Sequence, residues 1–404
     1  MGFLKKTLKT VFPPRIFHML SHLSIRSKRL WVFGSHGGDC FADNPKYLYL
    51  YLSLTASNHG NKYIWISTDK EVVAALRKKG FEAFTKWSLQ GLSYSLRAKY
   101  YFFSSYVQEI NYLSSGGAVL VNLNHHVPLK KIEYDIKKGA KAGRFRLWHR
   151  MLRPYLYKKP DYILSTSRLV SKVLSGAHRV GRKNILEYGF PRTDIFFKQK
   201  SEQIEFIRAY ESVEINTILE RMRNYKKVLI YMPTWRDSGR DFLGESGIDF
   251  ERLNSLLEEQ GFLLLLKFHG NTELKPPDTA EKQSIVTLDN NIDVYPLLLF
   301  TDCLITDYSS TYIDYLLLDR EIIFFPFDLD RYTTIDRELY FDYAEVTPGK
   351  KVYTYDELES TILDIDMLDY RLSRKKLRTL FWGDYRGDSC RRLCEFFFDH
   401  QFRF

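Results

Sequence analysis

Four short polar groupings follow directly on apolar runs, and each carries residue types that can handle a proton or an anion. In "NLNHHVPLKKIEYD" (122–135) two adjacent histidines, His125 and His126, precede Pro-Leu-Lys-Lys. An imidazole with an ordinary pKa near ~6.5 can accept a proton at neutral pH, so a general base and a satisfied structural histidine both fit. In "MPTWRD" (232–237) an apolar run delivers Thr234, Trp235 and Arg236. A guanidinium presents a planar fork to phosphate oxygens, and equally to a carboxylate in a structural ion pair. In "LLLLKFHGN" (263–271) the alternation of side chains along a strand sets Lys267 and His269 on one side. A lysine closing a buried strand is costly to desolvate unless paired, so the two together suggest a pyrophosphate cradle. In "CLITDYSST" (303–311) Asp307, Ser309 and Ser310 stand where a strand gives way to the helical spacing of "TYIDYLLLD". Hydroxyls there either cap the helix or share its N–H groups with a phosphate.

Something must hold these groupings at strand ends. Continuous apolar runs, the mark of strands buried on both faces, occur at 30–38, 62–68, 100–105, 118–126 and 162–167 in the first half of the chain. In the second half they occur at 227–235, 262–270, 284–289, 303–310 and 321–328. Between them lie helical patterns such as "DKEVVAALRKKG", "FERLNSLLEEQG" and "STYIDYLLLD". Alternating β and α, about five strands per half, predicts two doubly wound α/β units with parallel sheets, the joint falling near 190–225. Ligands of such units sit beyond the carboxyl ends of the strands, so the polar groupings are expected to line an inter-domain cleft.

The bulk composition bounds the rest. A chain of 404 residues, 45% hydrophobic and 16% aromatic, is globular and long enough for two or three domains. Its formal net charge of +11 points to anionic partners: nucleic acid, a phospholipid surface or a phosphorylated substrate. Cys40, Cys303, Cys390 and Cys394 form no zinc-type spacing and read as reduced thiols of a cytosolic protein. There is no run of the ~18–20 apolar residues that a membrane span needs. The N-terminal 29 residues mix Phe, Leu, Ile and Met with seven basic residues and no acidic one, which fits an interfacial segment on anionic lipid or a surface helix of its own domain. Walker, dinucleotide, zincin and nucleophile-elbow motifs are missing, and no carboxylate cluster suits a catalytic metal. What remains is a phosphate-rich donor bound by Arg, Lys, His and Ser.

The chain resembles the CDP-glycerol glycerophosphotransferase family, the teichoic acid primases and polymerases. The resemblance rests on "SHGGDCFADNPKYLYLYL" (35–52), "NHHVPLKKI" (124–132), "GFPRTDIFF" (189–197), "YMPTWRD" (231–237), "LLKFHG" (265–270) and "YFDYAEVTPG" (340–349). Its longest and most specific piece is "DVYPLLLFTDCLITDYSSTYIDYLLLDREIIFFPFDLDRY" (293–332). The resemblance implies a GT-B fold: two facing Rossmann-like domains, with the active site in the cleft between them. The expected division is a basic amphipathic segment (1–29), an acceptor domain (30–200), a CDP-alditol donor domain (201–380) and a C-terminal helix (381–404).

By the resemblance, His125 aligns with the family's catalytic base, although Asn124 and His126 replace the usual Trp and Gly on either side, and His269 matches its second functional histidine. Arg236, Ser309 and Ser310 match positions used around the donor phosphates, with Thr234, Asp307 and Lys267 beside them. The implied reaction moves glycerol phosphate from CDP-glycerol to a hydroxyl of a membrane-associated glycan or lipid-linked acceptor and releases CMP. It would serve teichoic-acid-like or capsular polymer synthesis. CDP-ribitol as donor, or a nucleotide sugar in an ordinary GT-B glycosyltransferase, are the alternatives. No cofactor is expected, since CDP-glycerol is a substrate. Eleven Lys or Arg among residues 129–160, interleaved with Phe, Leu, Trp, Met and Tyr, suggest a face toward the acceptor and membrane that includes Lys130, Lys131, Arg144, Arg146 and Arg150. The expected partners are therefore CDP-glycerol, the acceptor and an anionic membrane surface, at the cytoplasmic side of the cell membrane, with homo-oligomerisation open. The basic residues concentrate in these two segments without any nucleic-acid motif, so nucleic acid is not an expected partner.

Overall fold

Every apolar run singled out above becomes a strand, and all the strands pair in parallel. The structure, a computed structural model, describes residues 15–55, 60–138, 152–268 and 283–402. In chain order the first seven strands are β1 (Ser27–Phe33), β2 (Lys62–Ser67), β3 (Ala83–Thr85), β4 (Ala98–Phe103), β5 (Val119–Asn122), β6 (Tyr162–Ser165) and β7 (Ile185–Glu187). They form one sheet in the order β3-β2-β1-β4-β5-β6-β7. Six more follow: β8 (Lys227–Met232), β9 (Phe262–Leu266), β10 (Ile285–Thr287), β11 (Cys303–Thr306), β12 (Glu321–Phe324) and β13 (Lys350–Lys351). These form a second sheet in the order β10-β9-β8-β11-β12-β13. In each sheet the strand order reverses beside the first strand, at β1/β4 and at β8/β11, and such a switch point opens a crevice at the strands' carboxyl ends.

The helices start and stop where the chain's chemistry says they should. Asp69 accepts from the Glu71 N–H at 2.7 Å to start the helix Lys70–Lys78, and Gly261, with φ +70°, ends the helix Phe250–Gln260. The cores are the runs themselves: Leu30, Val32, Ile64, Ile66, Tyr101 and Phe103 in the first unit, and Leu229, Leu264, Leu266, Cys303, Ile305 and Ile323 in the second.

The chain does not divide at a single joint. One unit comprises residues 1–125, 143–194 and 385–404, and the other 126–142 and 195–384. Two of the expected boundaries shift as a result. The C-terminal helix Ser389–Phe402 belongs to the first unit, because Phe397 meets Trp31, Tyr100 and Phe102 at 5.2–6.0 Å between ring centres. Asp194 caps that helix, accepting from the N–H groups of Ser389 at 3.0 Å and Cys390 at 2.8 Å. Residues 126–138, expected in the acceptor domain, instead pack on the second unit.

Candidate functional site

The crevice of the first unit is organised around His125, the last residue of that unit before the chain crosses. Its loop is held from below. Asn44 donates to the carbonyls of Leu123 at 3.1 Å and Asn124 at 2.7 Å, and Arg192 donates to the carbonyl of His125 itself at 2.9 Å. Arg192 is also ion-paired with Asp43, and both are almost wholly buried. Burial opposes ionisation of Asp43, but Arg192, His36 and His125 outweigh it and hold the carboxyl below its ordinary pKa. Asn124 takes the left-handed conformation, φ +59°, that Asn tolerates better than most residues, and its side chain accepts from the His125 N–H at 2.9 Å.

The imidazole is oriented by the loop after β4. Nδ1 lies 2.9 Å from Ser105 Oγ and 3.4 Å from the Ser104 carbonyl. A carbonyl can only accept, so the tautomer that uses this contact carries its proton on Nδ1 and its lone pair on Nε2, the arrangement a general base requires. Crowding by protein pushes the imidazole pKa below its ordinary value, while Asp43 pulls it back up. The side chain keeps an open face to solvent, which limits the first effect but not its direction.

That loop is in turn fixed by Glu109. Its carboxylate accepts from Ser104 N at 2.7 Å, Ser104 Oγ at 3.0 Å and Ser105 N at 3.0 Å. Burial pushes the Glu109 carboxyl up to about 7 against those hydrogen bonds. Gly38, in the "SHGG" turn after β1, has φ +99°, and a Cβ there would stand 2.6 Å from the Glu109 carbonyl oxygen. Only glycine lets the two loops approach so closely.

The crevice of the second unit has a different construction. Arg236, in the loop after β8, is fully buried. Its Nε and Nη2 donate to Asp328 at 2.9 and 2.8 Å, and its Nη1 to Asp307 at 2.9 Å and to the Thr234 carbonyl. Tyr308 and Tyr332, stacked 3.9 Å apart, lie 4.9 and 5.0 Å from the guanidinium carbon. Arg240 extends the lattice to Asp328 and Asp336. Arg236, expected at the donor phosphates, here has its donors engaged by carboxylates away from solvent, where it shapes the loop. Asp307 likewise ties two strand ends together, accepting from Thr234 N at 2.8 Å across the β8/β11 switch point.

The remaining expected residues fall in three groups. Ser309 and Ser310 are half-buried at the carboxyl end of β11; Ser309 accepts from Thr311 N at 3.3 Å, whereas Ser310 makes no capping bond although it occupies the cap position. The Thr234 hydroxyl is buried there without a hydrogen-bond partner. Lys267, at the end of β9, donates to the Asn290 carbonyl at 2.8 Å. Lys130 and Lys131, expected on a face toward the acceptor and membrane, are placed here by pairing within the second unit. Lys131 N donates to the Glu338 carbonyl at 2.8 Å and its ammonium pairs with Glu338 at 3.1 Å, so the segment adds to residues 338–340 of the second unit. His269, Arg144, Arg146 and Arg150 lie outside the described residues. Asp43, Asn44, Ser104, Ser105, Glu109 and Arg192 were missed as site residues. The available signal was "YYFFSS", a strand ending in hydroxyls just as "CLITDYSS" does.

Among the described residues no group of three or more His, Cys, Asp or Glu is placed to hold a metal ion, and no helix is long and apolar enough to cross a membrane. Residues 16–399 match the family described as CDP-glycerol:poly(glycerophosphate) glycerophosphotransferase. A teichoic acid glycerol-phosphate transferase of Staphylococcus aureus is 28% identical over 404 residues, covering 98% of this chain and 100% of that protein. A teichoic acid poly(glycerol phosphate) polymerase of Staphylococcus epidermidis is 30% identical over 339 residues; the match takes in 80% of this chain but only 43% of that longer protein. Among solved structures, a variant of the wall teichoic acid polymerase TagF soaked with CDPG for 30 minutes superposes with a TM-score of 0.78 at 24% identity, over 98% of this chain and 96% of that one. The likeness bears on the fold, which is the α/β GT-B type expected from the sequence.

Proposed function

This chain belongs to the CDP-glycerol:poly(glycerophosphate) glycerophosphotransferase family, and we propose that it transfers glycerol phosphate from CDP-glycerol to a hydroxyl of a lipid-linked or glycan acceptor during teichoic acid synthesis. The acceptor oxygen attacks the β-phosphorus, the bond from that phosphorus to the bridging oxygen breaks, and CMP leaves carrying the electron pair. His125 Nε2 takes the acceptor's proton. The observation that carries this reading is the orientation of that imidazole: one nitrogen is committed to Ser104 and Ser105, and the pKa is lowered so that the ring is a neutral base at pH 7. Phosphoryl-type transfer needs positioning and charge neutralisation more than covalent help, and Ser309, Ser310 and Lys267 are suited to the donor phosphates.

The proposed place of action is the cytoplasmic face of the membrane. Ile16, Phe17, Met19, Leu20, Leu23 and Ile25 are exposed together, on a segment pinned by His18, whose Nδ1 lies 2.9 Å from the Tyr112 carbonyl. Such an apolar cluster within a basic segment suits the boundary between headgroups and acyl chains. The test is to supply CDP-glycerol, CDP-ribitol and UDP-sugars with a synthetic lipid acceptor, and to follow nucleotide release and product mass. CMP with a product heavier by one or more glycerol phosphates is expected; UDP release from a sugar donor alone would overturn the proposal.

A further inference from the structure

With Arg236 locked away, the cations that meet the donor's diphosphate have to come from elsewhere, and we propose that Lys130 is one of them. The segment that carries it docks on the second unit by main-chain pairing. Tyr340 N donates to the Leu129 carbonyl at 2.9 Å, Lys131 N to the Glu338 carbonyl at 2.8 Å, and Lys130 bridges Leu339 in antiparallel fashion. Tyr340 Oη, 2.8 Å from Asp135, and the Arg337 guanidinium, 3.3 Å from the Lys131 carbonyl, anchor it further. Side chains alternate along such a strand, so with Lys131 turned to Glu338 the side chain of Lys130 leaves by the opposite face.

The surroundings of Lys130 are already paired. Asp307, Asp237, Arg236 and Arg337 are the charges that act on it. Asp307 is taken by Arg236 and by the Thr234 N–H, and Asp237 by Arg337. Among the described residues the Lys130 ammonium has no hydrogen bond and no ion pair, although it is only partly exposed. A half-buried cation left over from an otherwise balanced lattice attracts an anion, and Asp307 is the residue that leads β11 into Ser309 and Ser310. The burial that makes an anion worth binding also lowers the Lys130 pKa, against the pull of Asp307. A nucleoside diphosphate, with its charge concentrated on two linked phosphates, fits this cation and these hydroxyls.

This inference rests on the CDP-glycerol reading, and binding and turnover separate the two. Calorimetric titration of the full chain with CDP-glycerol, CDP and cytidine would compare the wild type with Lys130→Gln, Lys130→Arg and the exposed neighbour Lys137→Ala. We expect Lys130→Gln to weaken CDP-glycerol and CDP by about 10- to 100-fold, the worth of a hydrogen bond to a charged group, and to leave cytidine unchanged. Lys130→Arg should recover part of the loss, and Lys137→Ala should bind like wild type. Undiminished CDP binding by Lys130→Gln, an equal loss for cytidine, or a defect confined to the acceptor's KM would overturn the assignment of Lys130 while wild-type turnover upholds the proposed reaction. A wild-type chain that neither binds nor turns over CDP-glycerol would overturn both.

Discussion

Both sheets run their strands outward from the first in the same order, so the loops after β1 and β4 in one unit correspond to those after β8 and β11 in the other. The two units fill this equivalent place with different physics. In the first, hydrogen bonds converge on one imbalance, a single imidazole oriented through Nδ1, and the buried pair Asp43–Arg192 serves to hold backbone. In the second, Arg236, Arg240, Asp307, Asp328 and Asp336 form a lattice of charges, with hydroxyls and lysines at its edge. Proton transfer needs one group in one orientation; binding a diphosphate needs a frame stiff enough to keep several weaker donors in register. The same topology can supply either, and the buried charges around Arg236 are built as a frame.

The contrast can be broken at several points. His125→Ala should lower acceptor-dependent CMP release by about 10²- to 10⁴-fold, the usual worth of a general base, while leaving CDP-glycerol affinity within a factor of about two. Equal losses in affinity would mean that the first unit's crevice is not specialised for the proton. Arg236→Ala should act oppositely, through stability. It strands Asp307 without a counter-charge and leaves Asp328 to Arg240 alone, and about 3–5 kcal/mol should be lost in urea unfolding. If unfolding is unchanged and only donor affinity falls, Arg236 is a ligand after all.

Finer changes sharpen the picture. Glu109→Gln would set an amide N–H against the N–H groups that the carboxylate now accepts, releasing the loop that aims His125. A fall of about 10- to 100-fold in kcat with little change in KM for CDP-glycerol is expected, as for other small misplacements of a reacting group. The pH profile follows from the lowered His125 pKa: the imidazole stays neutral as pH falls through its ordinary value, so the acid limb of kcat/KM should lie below about 6.5. A limb above that value would contradict the environment described for His125. The smallest effect should come from the exposed apolar cluster. Phe17→Ser should weaken binding to anionic vesicles by roughly tenfold or less, and leave turnover of a water-soluble acceptor intact.

What the sequence made legible was whatever lies close together along the chain. The ten long apolar runs became strands because continuous burial leaves its mark on every residue, and the strand ends carrying His125, Ser309 and Ser310 could be read directly from them. β3 and β7, of three residues each, and β13, of two, are too short to show a period. For Arg236 the sequence leaves phosphate and carboxylate equally open, because its partner Asp328 is 92 positions away and nothing local shows the carboxylate fork that engages the guanidinium. The basic run containing Lys130 and Lys131 was read as one surface. Charge density does not reveal that pairing with residues 338–340, over 200 positions downstream, turns neighbouring lysines to opposite faces.

Short strands, visible in the sequence or not, have a further meaning at the margins of the sheets. Each sheet ends on them: β3 and β7 border the first, β10 and β13 the second. An outermost strand of two or three residues offers an incoming chain almost no ladder to extend. With thirteen strands among the described residues and long runs of Val, Ile, Leu and Phe, the chain is thereby protected against edge-to-edge association, and lengthening β13 or β3 by a few β-formers would be an efficient way to make it aggregate.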